Sequence, residues 1–259
     1  MSRLWVRARA GERVVCGRLD GDVVHVVHGS LLDDRVETGE VLPLSRLVLL
    51  APVQPTKVVG IGSNYREHAL EMGKPIPAEP KIFLMPSTAV GDPEGLVQIP
   101  PGTRQLDHEA ELAVVIGRRC HRVSVQDALG VVLGYTAAND LTCRDFQKSD
   151  GVFTRAKGFD GFLPLGPALA TELDPSDLAL RCWVDGQLRQ DGRTSDMVFD
   201  VPTLISFVSH VMTLLPGDVI STGTPSGVGP LVDGQVVEVE LEGVGLLRSR
   251  LQDRDDREP

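Results

Sequence analysis

The residues best placed to do chemistry begin in one stretch, LDHEAELAVVIG (106–117), where Asp107, Glu109 and Glu111 alternate just before an apolar run. On a strand, alternate side chains share a face, so the three carboxylates point one way. The apolar run argues that the strand is buried, and unpaired buried charges are costly. Such a strand demands a compensating cation. Glu-x-Glu on a strand can offer two oxygens to one Mg2+, Mn2+ or Ca2+, ions that prefer oxygen ligands. An acidic edge strand facing solvent fits the same spacing, and spacing alone leaves both readings open.

Four further groups could act beside it. LGYTAAND (133–140) is a small-residue strand that could present Asp140 from its end; Asn139-Asp140 could equally cap a helix over 141–148. His68 and Glu71 stand three apart on a short helix expected within 64–73, which Gly73 ends. That spacing puts them on one helical face. A carboxylate on one imidazole nitrogen fixes the tautomer and raises the basicity of the other, so the pair could deprotonate a water; a surface contact is the plainer alternative. Lys157, in RAKGFD (155–160), reads by itself as a surface lysine. STGTPSGVG (221–229) is either a tight turn or a loop whose backbone N–H groups face a ligand carboxylate. Gly60-x-Gly62 is not a dinucleotide fingerprint, because Tyr65 stands where the third glycine is needed.

The elements that must hold these groups are mostly strands. Residues 1–54 read as a small β unit and connector, with a hairpin around Asp20-Gly21-Asp22. The main body spans 55–251. It contains further hairpins at Asp185-Gly186 and at 242–245, and helices over 124–133 and 202–215, the second capped by Asp200. From Gln252 to the end the chain reads as a disordered charged tail. A chain of 259 residues is ample for a proper core. Its net charge of −10 lacks the basic footprint that nucleic acid or anionic membrane requires. Four scattered cysteines without a C-x-x-C pair argue against a disulfide framework or structural zinc. There is no apolar run of membrane-spanning length and no signal-peptide segment, so a cytoplasmic location is expected.

Taken in order, GIGSNYREHALEMG (60–73), LDHEAELAVVIG (106–117), LGYTAANDLTCRDFQ (133–147), RAKGFDGFLPLGP (155–167) and GDVISTGTPSGVG (217–229) resemble the fumarylacetoacetate hydrolase family. The resemblance covers roughly 55–250. It implies a mostly β (α+β) fold: a mixed β-sandwich or β-roll catalytic domain with few short helices, behind a small N-terminal β domain, in a homodimer. It implies one Mg2+ or Mn2+ per active site on Glu109, Glu111 and Asp140. It implies a catalytic His68–Glu71 dyad on a lid helix with Lys157, and substrate contacts from Arg144, Gln147 and Thr224. The implied reaction is metal-dependent hydrolysis of a C–C bond in acylpyruvate-like 2,4-dioxo acids. Decarboxylation or isomerisation of related 2-oxo acids, such as oxaloacetate or 2-hydroxyhepta-2,4-diene-1,7-dioate, uses the same metal site. Met85 stands where relatives often have a basic residue, and Gly161 where they often have a hydroxyl. Both departures are expected to touch the pocket rather than the metal.

Overall fold

The computed structural model describes residues 2–254. Twelve strands form the largest sheet. Its path runs through Glu37–Pro43, Val23–Val27, Arg13–Asp20, Arg3–Ala10, Leu163–Thr171, Val132–Asn139, Ala110–Ile116, Val219–Ser221, Val58–Gly62 and Lys81–Met85. Two short strands pair off this path: Val48–Leu50 on Arg3–Ala10, and Val90–Gly91 on Leu163–Thr171. A second sheet orders Gln187–Arg193, Ala179–Val184, Val236–Leu241, Gly245–Asp253 and Gly95–Ile99. A small third sheet joins Thr142–Cys143, Leu106–His108 and Gly229–Leu231.

The two large sheets share the main core, in which Leu112, Val114 and Ala137 of the first pack with Leu180, Val237, Val239 and Leu251 of the second. Ala113, Val115 and Ala138 point the other way, into a second core with Val58, Leu163, Leu165 and Val219. The strand Ala110–Ile116 is therefore buried on both faces, as its unbroken apolar run demands. Fully burying one Leu or Val side chain is worth about 1.5–3 kcal/mol, so this strand is a rigid base for whatever precedes it.

The N-terminal β unit is continuous with the main sheet. Arg3, Leu4 and Trp5 pair with Thr171, Ala170 and Leu169, and the Trp5 indole donates to the Thr171 hydroxyl at 3.1 Å. Hairpins form where turn chemistry placed them: Asp185 and Gly186, both at positive φ, link Ala179–Val184 to Gln187–Arg193.

Three expectations need correction. The region 124–133 carries only a 3-10 segment, Ala128–Val131, before the strand opens at Val132. Ser124 and Asp127 do bond each other, but they close a turn, and Gly130 followed by two valines favours extended chain over another helical turn. The final strand runs through Asp253, so Gln252 and Asp253 are paired rather than in a tail; residues 255–259 lie outside the described residues. The strand expected over 106–117 breaks at Glu109, whose N–H donates to the Asn139 side chain at 3.0 Å instead of to a ladder partner. The later helix forms over Val201–Val211, with the Asp200 carboxylate accepting from the Thr203 N–H at 3.0 Å. Among the described residues no helix is long and apolar enough to cross a membrane.

Candidate active site

Antiparallel pairing assembles the carboxylates. Ala110 sits opposite Asn139, so the residue before the first and the residue after the second become neighbours. These are Glu109 and Asp140, and the Asp140 N–H donates to the Glu109 carbonyl at 2.9 Å. Glu111 follows Glu109 by two residues. One oxygen from each of Glu109, Glu111 and Asp140 falls within 4.8 Å of the others, and all three side chains are buried. Asp140 is not a helix cap: a two-residue strand, Thr142–Cys143, intervenes before the helix Arg144–Asp150.

Two cations enter this cluster. The Lys157 ammonium, brought in by the short helix Thr154–Lys157, donates to Glu109 Oε2 at 2.8 Å and to Asp140 Oδ2 at 2.5 Å. Lys157 is 3 % exposed, so it is no surface lysine. Arg144, at the start of its helix, donates from Nε to Asp107 Oδ2 at 2.7 Å and from Nη2 to Glu109 Oε1 at 2.5 Å. Asp107 thus leaves the carboxylate trio and serves as the anchor of Arg144. Four buried carboxylates share two cations, which leaves two negative charges uncompensated when all are ionised.

The imbalance shows in the titration of the group. Burial pushes the Glu109 carboxyl up, but Lys157 and Arg144 outweigh it and hold it at about 2. Burial pushes Asp140 up to about 6 despite Lys157. Glu111 is driven well above the carboxylate range by burial and by the charge of Asp140, although its Oε2 accepts from the Ser221 hydroxyl at 2.5 Å and the Gly223 N–H at 2.9 Å. Gly223 adopts φ +94°, and a Cβ there would meet Asn64 Cβ at 2.9 Å. Only glycine lets this backbone turn its N–H to the carboxylate. Asp140 Oδ1 is buried with no hydrogen-bond partner. A buried acceptor left unpaired in an all-oxygen, doubly negative set fits a hard divalent cation on Glu109, Glu111 and Asp140.

A narrow cleft opens onto this cluster. Of the residues singled out from sequence, His68, Glu109, Glu111, Arg144, Gln147, Lys157 and Thr224 line it. Asp140 reaches it through Lys157, and Glu71 through His68, whose Nδ1 lies 3.0 Å from Glu71 Oε2. Glu71 Oε1 accepts from the Gly227 N–H at 3.0 Å, so the glycine-rich loop holds the dyad from outside. Gln147 Oε1 accepts from Arg144 Nη1 at 3.1 Å. The dyad helix itself, Arg66–Glu71, is moored at its root by Asn64, whose amide donates to the Thr222 carbonyl at 2.8 Å and the Phe199 carbonyl at 3.1 Å.

Neither Met85 nor Gly161 lines the cleft, contrary to expectation. Met85 is buried in the second core, while Phe83, two residues earlier on the same strand, forms the wall. Gly60 makes room for it, since a Cβ there would fall 2.2 Å from the Phe83 ring. Sequence reading also missed Lys74 on the wall and Gln190 behind it. Gln190 sits in a hairpin strand whose pattern carries no chemical signal, and Lys74 is one basic residue in a proline-rich loop.

A model of the fumarylacetoacetate (FAA) hydrolase C-terminal domain matches residues 57–252, and an N-terminal model described as Rv2993c-like matches residues 3–52. The chain belongs to the fumarylacetoacetate hydrolase family. Family members that it resembles carry different activities in their names. The 5-carboxymethyl-2-hydroxymuconate delta-isomerase of Mycobacterium smegmatis is 42% identical, with a TM-score of 0.91 over 97% of this chain and 100% of that one. The mitochondrial oxaloacetate tautomerase FAHD2B of Bos taurus is 42% identical over 224 residues, 82% of this chain and 71% of that protein. The fumarylacetoacetate hydrolase of Exiguobacterium antarcticum is 34% identical, with a TM-score of 0.88 over 97% of this chain and 100% of that one. Enzymes of this family fold as this chain does, mostly in strands and mixed sheets with few helices.

Proposed function

We propose that the protein is a divalent-cation-dependent enzyme that moves protons on a 2-oxo acid, interconverting keto and enol or isomeric unsaturated forms. The observation that carries this reading is one cleft in which a His–Glu pair faces a buried three-carboxylate cluster with an unpaired oxygen. Glu109, Glu111 and Asp140 would hold Mg2+ or Mn2+. When bound, such an ion is a Lewis acid that stabilises negative charge on the oxygens of a 2-oxo acid enolate. Glu71 accepts the Nδ1 proton of His68 and so leaves the Nε2 lone pair for the substrate. His68 takes a proton from the carbon beside the keto group and returns it at another position. Lys157 and Arg144 stabilise the negative charge that builds on oxygen, in a buried setting where such charges are worth most. Thr224 and the amide nitrogen of Gln147 are placed to donate to the substrate carboxylate.

Hydrolysis of an acylpyruvate is the second reading, and the Exiguobacterium relative favours it. There the same dyad would activate a water toward the distal carbonyl. The isomerase and tautomerase relatives are the more similar ones, which puts proton transfer first.

The deciding assay follows the enol band of freshly dissolved oxaloacetate with Mg2+ and purified protein, while CO2 and pyruvate are measured in parallel. Faster enol–keto exchange without CO2 supports the proposal. Release of CO2 from oxaloacetate would make the enzyme a decarboxylase. Cleavage of an acylpyruvate to two acids, with oxaloacetate exchange unaffected, would make it a hydrolase.

A further inference from the structure

A buried amide sits behind the cleft, and its partners fix its orientation. Gln190 lies on the strand Gln187–Arg193 of the second sheet and has no exposed surface. Its Oε1 accepts from the Ala110 N–H at 3.0 Å. A backbone N–H can only donate, so that atom must be the oxygen. The same oxygen lies 3.0 Å from His108 Nδ1, which is therefore the protonated nitrogen of that ring. The other end of the amide is then a donor twice over, to Thr224 Oγ1 at 2.7 Å and to the Pro225 carbonyl at 2.9 Å. With its oxygen occupied as acceptor from Gln190, the Thr224 hydroxyl has its own proton left to give. Thr224 lines the cleft.

We propose that Gln190 is a positioning residue that fixes the Thr224 hydroxyl as a donor to an anionic oxygen of the ligand. The direction starts at the N–H of Ala110, the residue after Glu109, so the carboxylate strand itself sets the polarity of the donor on the opposite wall. The same amide clamps the 224–225 loop to that strand through both of its ends. This inference rests on the cleft being a 2-oxo acid site.

The test uses oxalate, a planar dianion that mimics the enolate of a 2-oxo acid, titrated calorimetrically into the whole protein with Mg2+. Gln190→Glu keeps the acceptor for Ala110 and His108 but turns the donor end into a second acceptor, which draws the Thr224 proton away from the cleft. Oxalate binding should weaken about tenfold or more, and Thr224→Val should weaken it as much. The double variant should bind no worse than Thr224→Val alone, because the two changes remove one donor. Gln190→Met, neutral and of similar size, leaves the hydroxyl free to rotate and should lose less than Gln190→Glu; it serves as the readout if the glutamate variant does not fold. Additive losses in the double variant, or a greater loss for Gln190→Met, would mean a merely structural amide and would overturn the inference. Full binding by Thr224→Val overturns it as well, while sparing the 2-oxo acid reading. No oxalate binding by the unaltered protein with Mg2+ would overturn both.

Discussion

The main sheet carries two buried carboxylate sites, and they are built on opposite plans. Asp218, at the entry to Val219–Ser221, has no exposed surface, and each of its oxygens receives two donors. Oδ1 accepts from the Thr56 hydroxyl at 2.6 Å and the Lys57 N–H at 3.2 Å; Oδ2 accepts from the Lys57 ammonium and from the Leu215 N–H at 2.7 Å. Burial pushes Asp218 up, but these partners outweigh it and hold the carboxyl below its usual range. A few residues away, Glu109, Glu111 and Asp140 crowd together with too few cations, and one oxygen has no partner. A complete set of donors marks a carboxylate that serves the fold. A crowded, underpaired set is tolerated because something else is meant to complete it.

Substitutions can break this contrast. Glu111→Gln should lower kcat/KM with Mg2+ by about 10^3-fold, in line with losing several kcal/mol of Lewis-acid stabilisation. Because burial and the charge of Asp140 push the Glu111 carboxyl well up in the metal-free protein, the same change to a neutral amide should leave the chelator-treated melting temperature nearly unaltered. Asp218→Ala should do the reverse. Leaving Lys57 and two partly buried N–H groups unpaired should cost about 3 kcal/mol in urea unfolding, the low end for a broken buried pair because Lys57 is partly exposed. Turnover per folded molecule should not change.

Asp140 and Asp218 should also respond to pH with opposite signs. The folded protein raises Asp140 to about 6, so it binds a proton that the unfolded chain has already lost. With chelator present, stability from this group falls as pH rises from about 4 to about 6, at a limiting slope of about 1.4 kcal/mol per pH unit for one proton. Asp218 is depressed, so its contribution is present above about pH 4 and is lost as pH falls below that. Thermal melts across pH 3–7 should show a maximum, and Asp140→Asn should flatten its alkaline side. Mg2+ should flatten it too, since the ion binds the ionised form. The smallest effect belongs to a surface pair. Arg181, at 40% side-chain exposure between Asp191 and Glu240, should leave the melting temperature almost unchanged when replaced by Ala, because solvent screens the pair. A larger loss there would mean that ion-pair geometry, not burial, sets the difference between the two buried sites.

Much of the site was legible before any fold was known, because its chemistry lies in short motifs. Glu109 and Glu111 are two apart on a strand, and His68 and Glu71 are three apart on a helix, so local geometry puts each pair on one face. The third carboxylate, Asp140, could be read as a helix cap, because nothing local distinguishes a strand end from a cap. Spacing alone likewise puts Asp107 on the face of Glu109 and Glu111, whereas the fold gives it to Arg144. The chain breaks at Glu109 when Asn139, thirty residues later, takes its N–H, and no local pattern reports that. The helix expected over 124–133 fails for a local reason instead: Gly130 and the valines around it favour extended chain over another helical turn.

By itself, then, the sequence determined which residue types are available and which local faces they share: strands from alternating and apolar runs, hairpins from Asp-Gly turns, two pairs of reactive side chains. Tertiary structure decided the rest. Pairing Ala110 with Asn139 made Glu109 and Asp140 neighbours. Packing drove Lys157 and Arg144 inward, where burial raises two carboxyl pKa values and Lys157 and Arg144 lower a third. Gln190, eighty residues from Ala110, was made the link that turns a threonine toward the cleft. Charge balance and hydrogen-bond direction depend on distances and burial, and those exist only once residues far apart in the chain are pressed together.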